Sequence, residues 1–270
     1  MQTYFNILLK LLIDGFLRKI TKPSEMTGIH LEWSEIAELF EGNDTPNSEI
    51  VSNFFEIHFY EWFTYVGEEK DVESIKQIVN SVIDMIDTFD LATYKVRPES
   101  IQDILQEVYM ALIPTEVRHL LGEYFSPDWI VEFSLDRIDF KGDIEKKVID
   151  PTCGSGAFII QALKKVIKKC GGEISVSDAK KITSNIVGFD LNPISAVAAK
   201  ANYILTLLSS LEQKEKLDDA LVIPIYIADS VLSPIVYSEE SEDTFSADTT
   251  VGKFVIPKFE SFSEASKFLD

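Results

Sequence analysis

Three carboxylates and a glycine turn are the residues of this chain whose types and spacing suit a ligand. Asp150 opens the run Asp150-Pro151-Thr152-Cys153-Gly154-Ser155-Gly156-Ala157-Phe158, Asp190 lies in Gly188-Phe189-Asp190-Leu191-Asn192-Pro193, and Asp229 lies in Ala228-Asp229-Ser230. Carboxylates accept hydrogen bonds from hydroxyls, ammonium groups and amines. Glycines at a helix start let a ligand approach freed backbone N–H groups, where the positive end of the helix dipole suits a carboxylate or phosphate. A ligand with a ribose diol, an amino acid portion and an exocyclic amine would use all of these groups. Taken singly, each aspartate is as readily a helix cap or turn residue, so the pattern carries the reading.

The elements that must position these residues follow from hydrophobic pattern and punctuation. Lys147 to Ile149 reads as the end of a buried strand that Asp150-Pro151 stops, and Gly154-Ser155-Gly156 turns the backbone into an amphipathic helix. Ile159, Leu163, Val166, Ile167 and Cys170 form one face of that helix; Lys164, Lys165, Lys168 and Lys169 form a solvated face opposite. Gly171-Gly172 ends it, and a connection leads to a second buried strand, Asn185 to Leu191. Asn192-Pro193 caps a second helix with Val197, Ala201, Ile204, Leu205 and Leu208 toward the sheet; a third strand, about Val222 to Ala228, again closes on an acid. In an open parallel α/β sheet ligands bind beyond the carboxyl ends of the strands, where the three aspartates are expected to gather.

Upstream of this unit the chain reads as helical. Tyr4 to Leu17 is the first helix; Val51, Phe54, Phe55, His58, Phe59, Trp62 and Val66 keep one apolar face at helical spacing and read as core, with His58 a hydrogen-bonded core residue. Gly42 to Asn47 and Gly67 to Asp71 are loops, and further helices run from about Val72 to Phe89 and from about Pro98 to Leu112. Gly122 then ends a helix, Glu123-Tyr124-Phe125 is extended, and Ser126-Pro127 gives an N-cap followed by proline at the first helical position. Past the third strand, Pro234 to Gly252 is a polar, acidic stretch expected as a mobile surface loop, with Val251 to Pro257 a short strand or hairpin arm. The expected division is a helical domain over 1–118, a ligand-binding core over 119–233, and an acidic loop with the start of a continuation over 234–270.

Composition excludes several classes. Formal net charge is −20, with 9 basic against 21 acidic residues over 1–118 and 16 against 24 over 119–270. Neither part offers the basic stripe that holds nucleic acid, so cations for DNA must come from a partner or a further region. Cys153 and Cys170 are too few for a disulfide framework and lack metal-ligand spacing, which suggests a reducing, cytoplasmic setting and no metal site. Lys10 and Asp14 break the apolar opening, which argues against a signal peptide or membrane span.

The run Asp150 to Phe158 resembles the S-adenosylmethionine-binding motif of the N6-adenine DNA methyltransferases of restriction-modification systems. Gly122-Glu123-Tyr124-Phe125-Ser126-Pro127 is similar to that family's upstream cofactor motif, usually written with threonine before the proline. Gly188 to Pro193 and Ala228 to Ser230 are similar to the next two motifs, in the family's order. The resemblance implies an α/β fold in which a helical N-terminal domain precedes the first part of a Rossmann-like methyltransferase sheet. It implies that S-adenosylmethionine is the cofactor, and that the turn over Asp150, Pro151, Thr152, Cys153, Gly154 and Gly156 holds its methionine portion. Tyr124 and Ser126 belong to the upstream element, with Ser126 reaching the carboxylate. Asp190 would bind the ribose hydroxyls, Leu191 would pack on the adenine and Asp229 would accept from its amino group.

The family's catalytic element, an Asn or Asp followed by two prolines and an aromatic, does not occur in the sequence. No catalytic residue is therefore assigned, and Cys153 reads as a small packing residue. The expectation is an N-terminal part of a larger adenine methyltransferase of restriction-modification or phage defence, or one half of a split one. It would be inactive alone and would meet double-stranded DNA through a C-terminal region or a partner chain, with further subunits as possible partners. The alternative is a non-catalytic subunit that uses the same pocket for binding. A nicotinamide dinucleotide enzyme fits less well: Ile159 follows Phe158 where a third glycine belongs, and Asp190 comes 36 residues after Gly154 where roughly 20 is expected.

Overall fold

The computed structural model describes residues 2–21, 30–41, 46–55, 59–88, 126–212, 217 and 219–230, with the backbone of 244–249 and 252–257. Residues 1–227 form one compact unit and 228–270 a second. In the first unit a parallel sheet is ordered β1 (Val148–Asp150), β2 (Ile186–Asp190), β3 (Ile225–Ile227). Its helices are α1 (Gln2–Thr21), α2 (Trp33–Glu41), α3 (Glu69–Thr88), α4 (Asp128–Arg137), α5 (Ala157–Lys169), α6 (Val176–Asn185) and α7 (Pro193–Ser209). The second unit holds an antiparallel hairpin of β4 (Thr244–Thr249) and β5 (Gly252–Pro257). The described residues are thus α/β and mostly helical, with a parallel sheet of three strands.

α7 is the hub. Every residue from Ile194 to Leu208 is buried, because β2 and β3 meet it on one side while α5 and α1 pack on others. One hydrophobic cluster therefore runs from Phe5 and Leu9 of α1 to Ile223 and Ile225 beside and within β3. Lys10 and Asp14, which break the apolar pattern of α1, are buried as well: Lys10 Nζ lies 2.6 Å from Glu61 Oε1, and Asp14 Oδ2 lies 2.8 Å from Arg18 Nε.

Among the described residues of 51–66 there is no α-helix, although Val51, Phe54 and Phe55 are core residues as expected, and Phe63 joins them. Val51 instead bridges in parallel to Leu221, and a 3-10 helix covers Phe59–Tyr65. Asn53 settles the competition. Its Nδ2 donates to the Ile223 carbonyl at 3.0 Å and its Oδ1 accepts from the Ile223 N–H at 2.8 Å, while Lys200 Nζ of α7 donates to the Asn53 carbonyl at 2.7 Å. Long-range pairing supplies the backbone and side-chain bonds here, and it overrides local periodicity. Trp62 faces outward at 59% exposure, its indole N–H donating to Thr3 Oγ1 at 3.1 Å; His58 lies outside the described residues.

Four further differences have local causes. α3 begins at Glu69, so the expected loop to Asp71 is shorter. α6 occupies what read as a plain connection, started by a capping box in which Ser175 and Asp178 exchange side-chain and backbone bonds. Cys170 caps α5 and is exposed, since the helix ends before its face returns to the core. Residues 244–249, within the stretch read as a loop, form β4 by pairing with the expected arm at 252–257.

Candidate functional site

The site is built where β1 and β2 end. The strands run side by side with Asp150 opposite Gly188, and each closes on its aspartate. After β1 the chain turns back over β2: the Cys153 N–H donates to the Phe189 carbonyl at 2.7 Å, burying the Cys153 side chain at 5% exposure. That contact explains Gly188. A Cβ there would stand 3.0 Å from Cys153 Sγ and 2.8 Å from Ile225 Cδ1, so a larger residue would have to displace both side chains to keep the turn this close to the sheet.

Gly154 and Gly156 both take positive φ, at 55° and 95°, and Gly156 occupies the N-cap of α5. The two loops are joined through one carboxylate. Asp190 Oδ2 accepts from the Gly154 N–H at 2.8 Å and its Oδ1 from the Asn192 N–H at 2.8 Å. Asn192 then caps α7, its Oδ1 accepting from the Ile194 N–H at 3.0 Å, with Pro193 in the first turn as expected. Asp150 serves its own turn, accepting from the Thr152 N–H at 3.1 Å. Pro151 and Thr152 are exposed on the rim, and Leu191 projects at 67% exposure directly after Asp190.

Asp150 titrates above the usual carboxylate range. Burial is the main cause, the Thr152 N–H opposes it, and the charge of Asp190 adds to it. The same surroundings, burial first and then the charges of Asp150 and Asp190, push the Cys153 thiol far above its ordinary value. A thiol held neutral and buried is no nucleophile, in keeping with its reading as a packing residue. For Asp150 the sign of the pH effect follows: the folded state holds the proton more tightly, so this group's contribution falls as pH rises from the ordinary value of 3.8 through the raised one. D150N, which keeps an acceptor for the Thr152 N–H, should therefore melt above wild type at pH 7. Calorimetric melting should show that difference closing below the ordinary carboxylate value.

The remaining expected site residues are placed less centrally. Ser126, the expected cap, sits one residue ahead of the observed one: Pro127 takes the N-cap position of α4, its carbonyl accepting from the N–H groups of Ile130 and Val131. α4 packs on α5, the helix opened by the glycine turn, and Lys165 Nζ joins them through Asp136 Oδ1 at 2.8 Å. Tyr124 lies outside the described residues. β3 stops at Ile227, so Asp229 is not a strand end but follows two residues later, inside the second compact unit. Asn202 of α7 was not singled out from the sequence, yet its Nδ2 donates to the Ser155 carbonyl at 3.0 Å. A lone amide in the apolar run Ala201 to Leu205 was the available signal. Among the described residues no group of three or more His, Cys, Asp or Glu is placed to hold a metal.

The family model described as N-6 DNA Methylase matches residues 100–261, more than half of the chain. The chain belongs to the N-6 DNA methylase family. The chain is 30% identical over 146 residues to the type I restriction enzyme MjaVII methylase subunit of Methanocaldococcus jannaschii, a match covering 54% of this chain and 21% of that one. It is 28% identical over 94 residues to the adenine-specific methyltransferase PglX of Streptomyces coelicolor, covering 32% and 8%. It is 28% identical over 108 residues to the MjaIX methylase subunit, again of M. jannaschii, covering 39% and 17%. The chain thus spans about a fifth or less of the length of these curated relatives.

Proposed function

We propose that this chain is the S-adenosylmethionine-binding portion of a DNA methyltransferase acting on the N6 amine of adenine, within a restriction-modification or phage-defence system. The observation that carries the reading is the Gly154 N–H donated to Asp190 Oδ2, which ties the glycine turn and the acid after β2 into one site. Open space is in keeping with it: a Cβ on Gly154 would meet nothing within 4 Å, so a ligand can approach the backbone of the turn there. Charge supports it too. Asp150 and Asp190 stand close enough for one to raise the other's pKa, which suits a ligand bearing a sulfonium and an ammonium and repels the pyrophosphate of a dinucleotide.

In this reading the turn from Asp150 to Gly156 holds the amino acid end, with Tyr124 and Ser126 contributing from the upstream element. Asp190 accepts from the ribose hydroxyls with lone pairs left over from its two backbone bonds. Leu191, already exposed, covers the adenine. When bound, the cofactor supplies a sulfonium methyl that an amine nitrogen attacks in line, without a covalent enzyme intermediate. The element that grips the target adenine is not assigned within the 270 residues, so double-stranded DNA and other subunits are proposed as partners of the whole assembly.

Among the described residues no helix is long and apolar enough to cross a membrane. Equilibrium dialysis with labelled S-adenosylmethionine tests the proposal. Retained label should be displaced by S-adenosylhomocysteine and unaffected by a large excess of NAD. Displacement by NAD, or no retained label, would reject it.

A further inference from the structure

We propose that Asn202 is a positioning residue for the glycine turn, holding the Ser155 carbonyl so that the backbone of the turn is pre-set for the ligand's amino acid end. This deepens the cofactor reading above and rests on it. Asn202 lies in the middle of α7 at 8% exposure, among Ala201, Tyr203, Ile204 and Leu205, all at 2% or less. Its Nδ2 donates to the Ser155 carbonyl, while its Oδ1 is buried with no hydrogen-bond partner. Turning the amide over would set two acceptors against each other, so the orphaned oxygen is the consequence of holding Ser155.

A buried unpaired acceptor costs about 1–3 kcal/mol, and an apolar side chain on this face of α7 would avoid that cost. The compensation lies in what is held. Ser155 sits between two glycines of positive φ, the least restrained backbone in the site. The Gly154 N–H is fixed to Asp190, the Gly156 N–H to the Cys153 carbonyl at 2.8 Å, and Gly156 lies against α7 so closely that a Cβ on it would stand 3.3 Å from the Ala199 Cβ. The Asn202 bond to Ser155 closes this frame from α7. Asp190 precedes the cap of the same helix, so one rigid element sets both the acid and the turn, and a pre-set turn loses less entropy on binding.

The test compares wild type, N202A and N202D in the 270-residue chain by amide hydrogen exchange, melting and S-adenosylmethionine titration. N202A exchanges the orphaned Oδ1 for an unpaired Ser155 carbonyl, so its melting temperature should stay close to that of wild type. Its Gly154 and Gly156 amides should exchange about five- to tenfold faster, and cofactor affinity should fall by a similar factor. N202D carries a carboxyl that donates to Ser155 only when protonated, so its affinity should approach wild type at acid pH and fall as pH rises. Exchange at Gly154 and Gly156 in N202A within about twofold of wild type would overturn the proposal. If N202A does not fold, a pH-independent affinity in N202D does so instead. Faster exchange with no cofactor binding by wild type would uphold the positioning role and reject the cofactor reading alone.

Discussion

K10M should destabilise the chain by about 3–5 kcal/mol, a large share of the roughly 5–15 kcal/mol that holds a typical domain folded. Lys10 and Glu61 are 0% and 1% exposed and 2.6 Å apart, and Asn6 Nδ2 donates to the same Glu61 oxygen at 2.8 Å. The ammonium also reaches the carbonyls of Phe40 and Phe55 at 3.5 Å and lies 5.7 Å from the Phe40 ring centroid. Removing Lys10 strands a carboxylate in the core, where desolvation without its counter-charge dominates. Removing both charges does not, so K10M combined with E61M should recover most of the loss. Urea denaturation of the two single variants and the double variant measures this. Equal losses in all three would show that packing around the pair, rather than the stranded charge, sets its energetics.

D190A should cost at least about 100-fold in S-adenosylmethionine affinity, because hydrogen bonds to a charged group are worth about 1.5–3 kcal/mol and this carboxylate makes two to backbone. The Gly154 N–H would lose the acceptor that ties the glycine turn to β2, and the Asn192 N–H would lose the one that sets the start of α7. Any bonds to a ribose go as well. D190N keeps one acceptor oxygen and turns a donor toward the other N–H, so its loss should approach that of D190A. Affinities measured on variants that still melt cooperatively check both.

The parts of the site legible in the sequence are those fixed by short-range chemistry. Asp150-Pro151 ends β1, the paired glycines turn the chain, and Asn192-Pro193 starts α7, each through contacts a few residues apart. α6 carries a local signal too, the capping box of Ser175 and Asp178, within a stretch that otherwise reads as a connection. What the sequence hid depends on distant partners. Val51, Phe54 and Phe55 are core residues at helical spacing, yet Asn53 pairs with Ile223, 170 residues away, and that bond decides the backbone. The role of Gly188 was hidden for the same reason: the glycine answers to Cys153, which reaches it only once the turn has folded back over β2.

Calorimetric titration of S-adenosylmethionine into the wild-type chain, with D190A alongside, tests the central claim most directly. Binding in the micromolar range that D190A loses is the predicted result, and it would show that the glycine turn and Asp190 act as one cofactor site. Binding of equal strength by wild type and D190A, or none by a cooperatively melting wild-type chain, would contradict it.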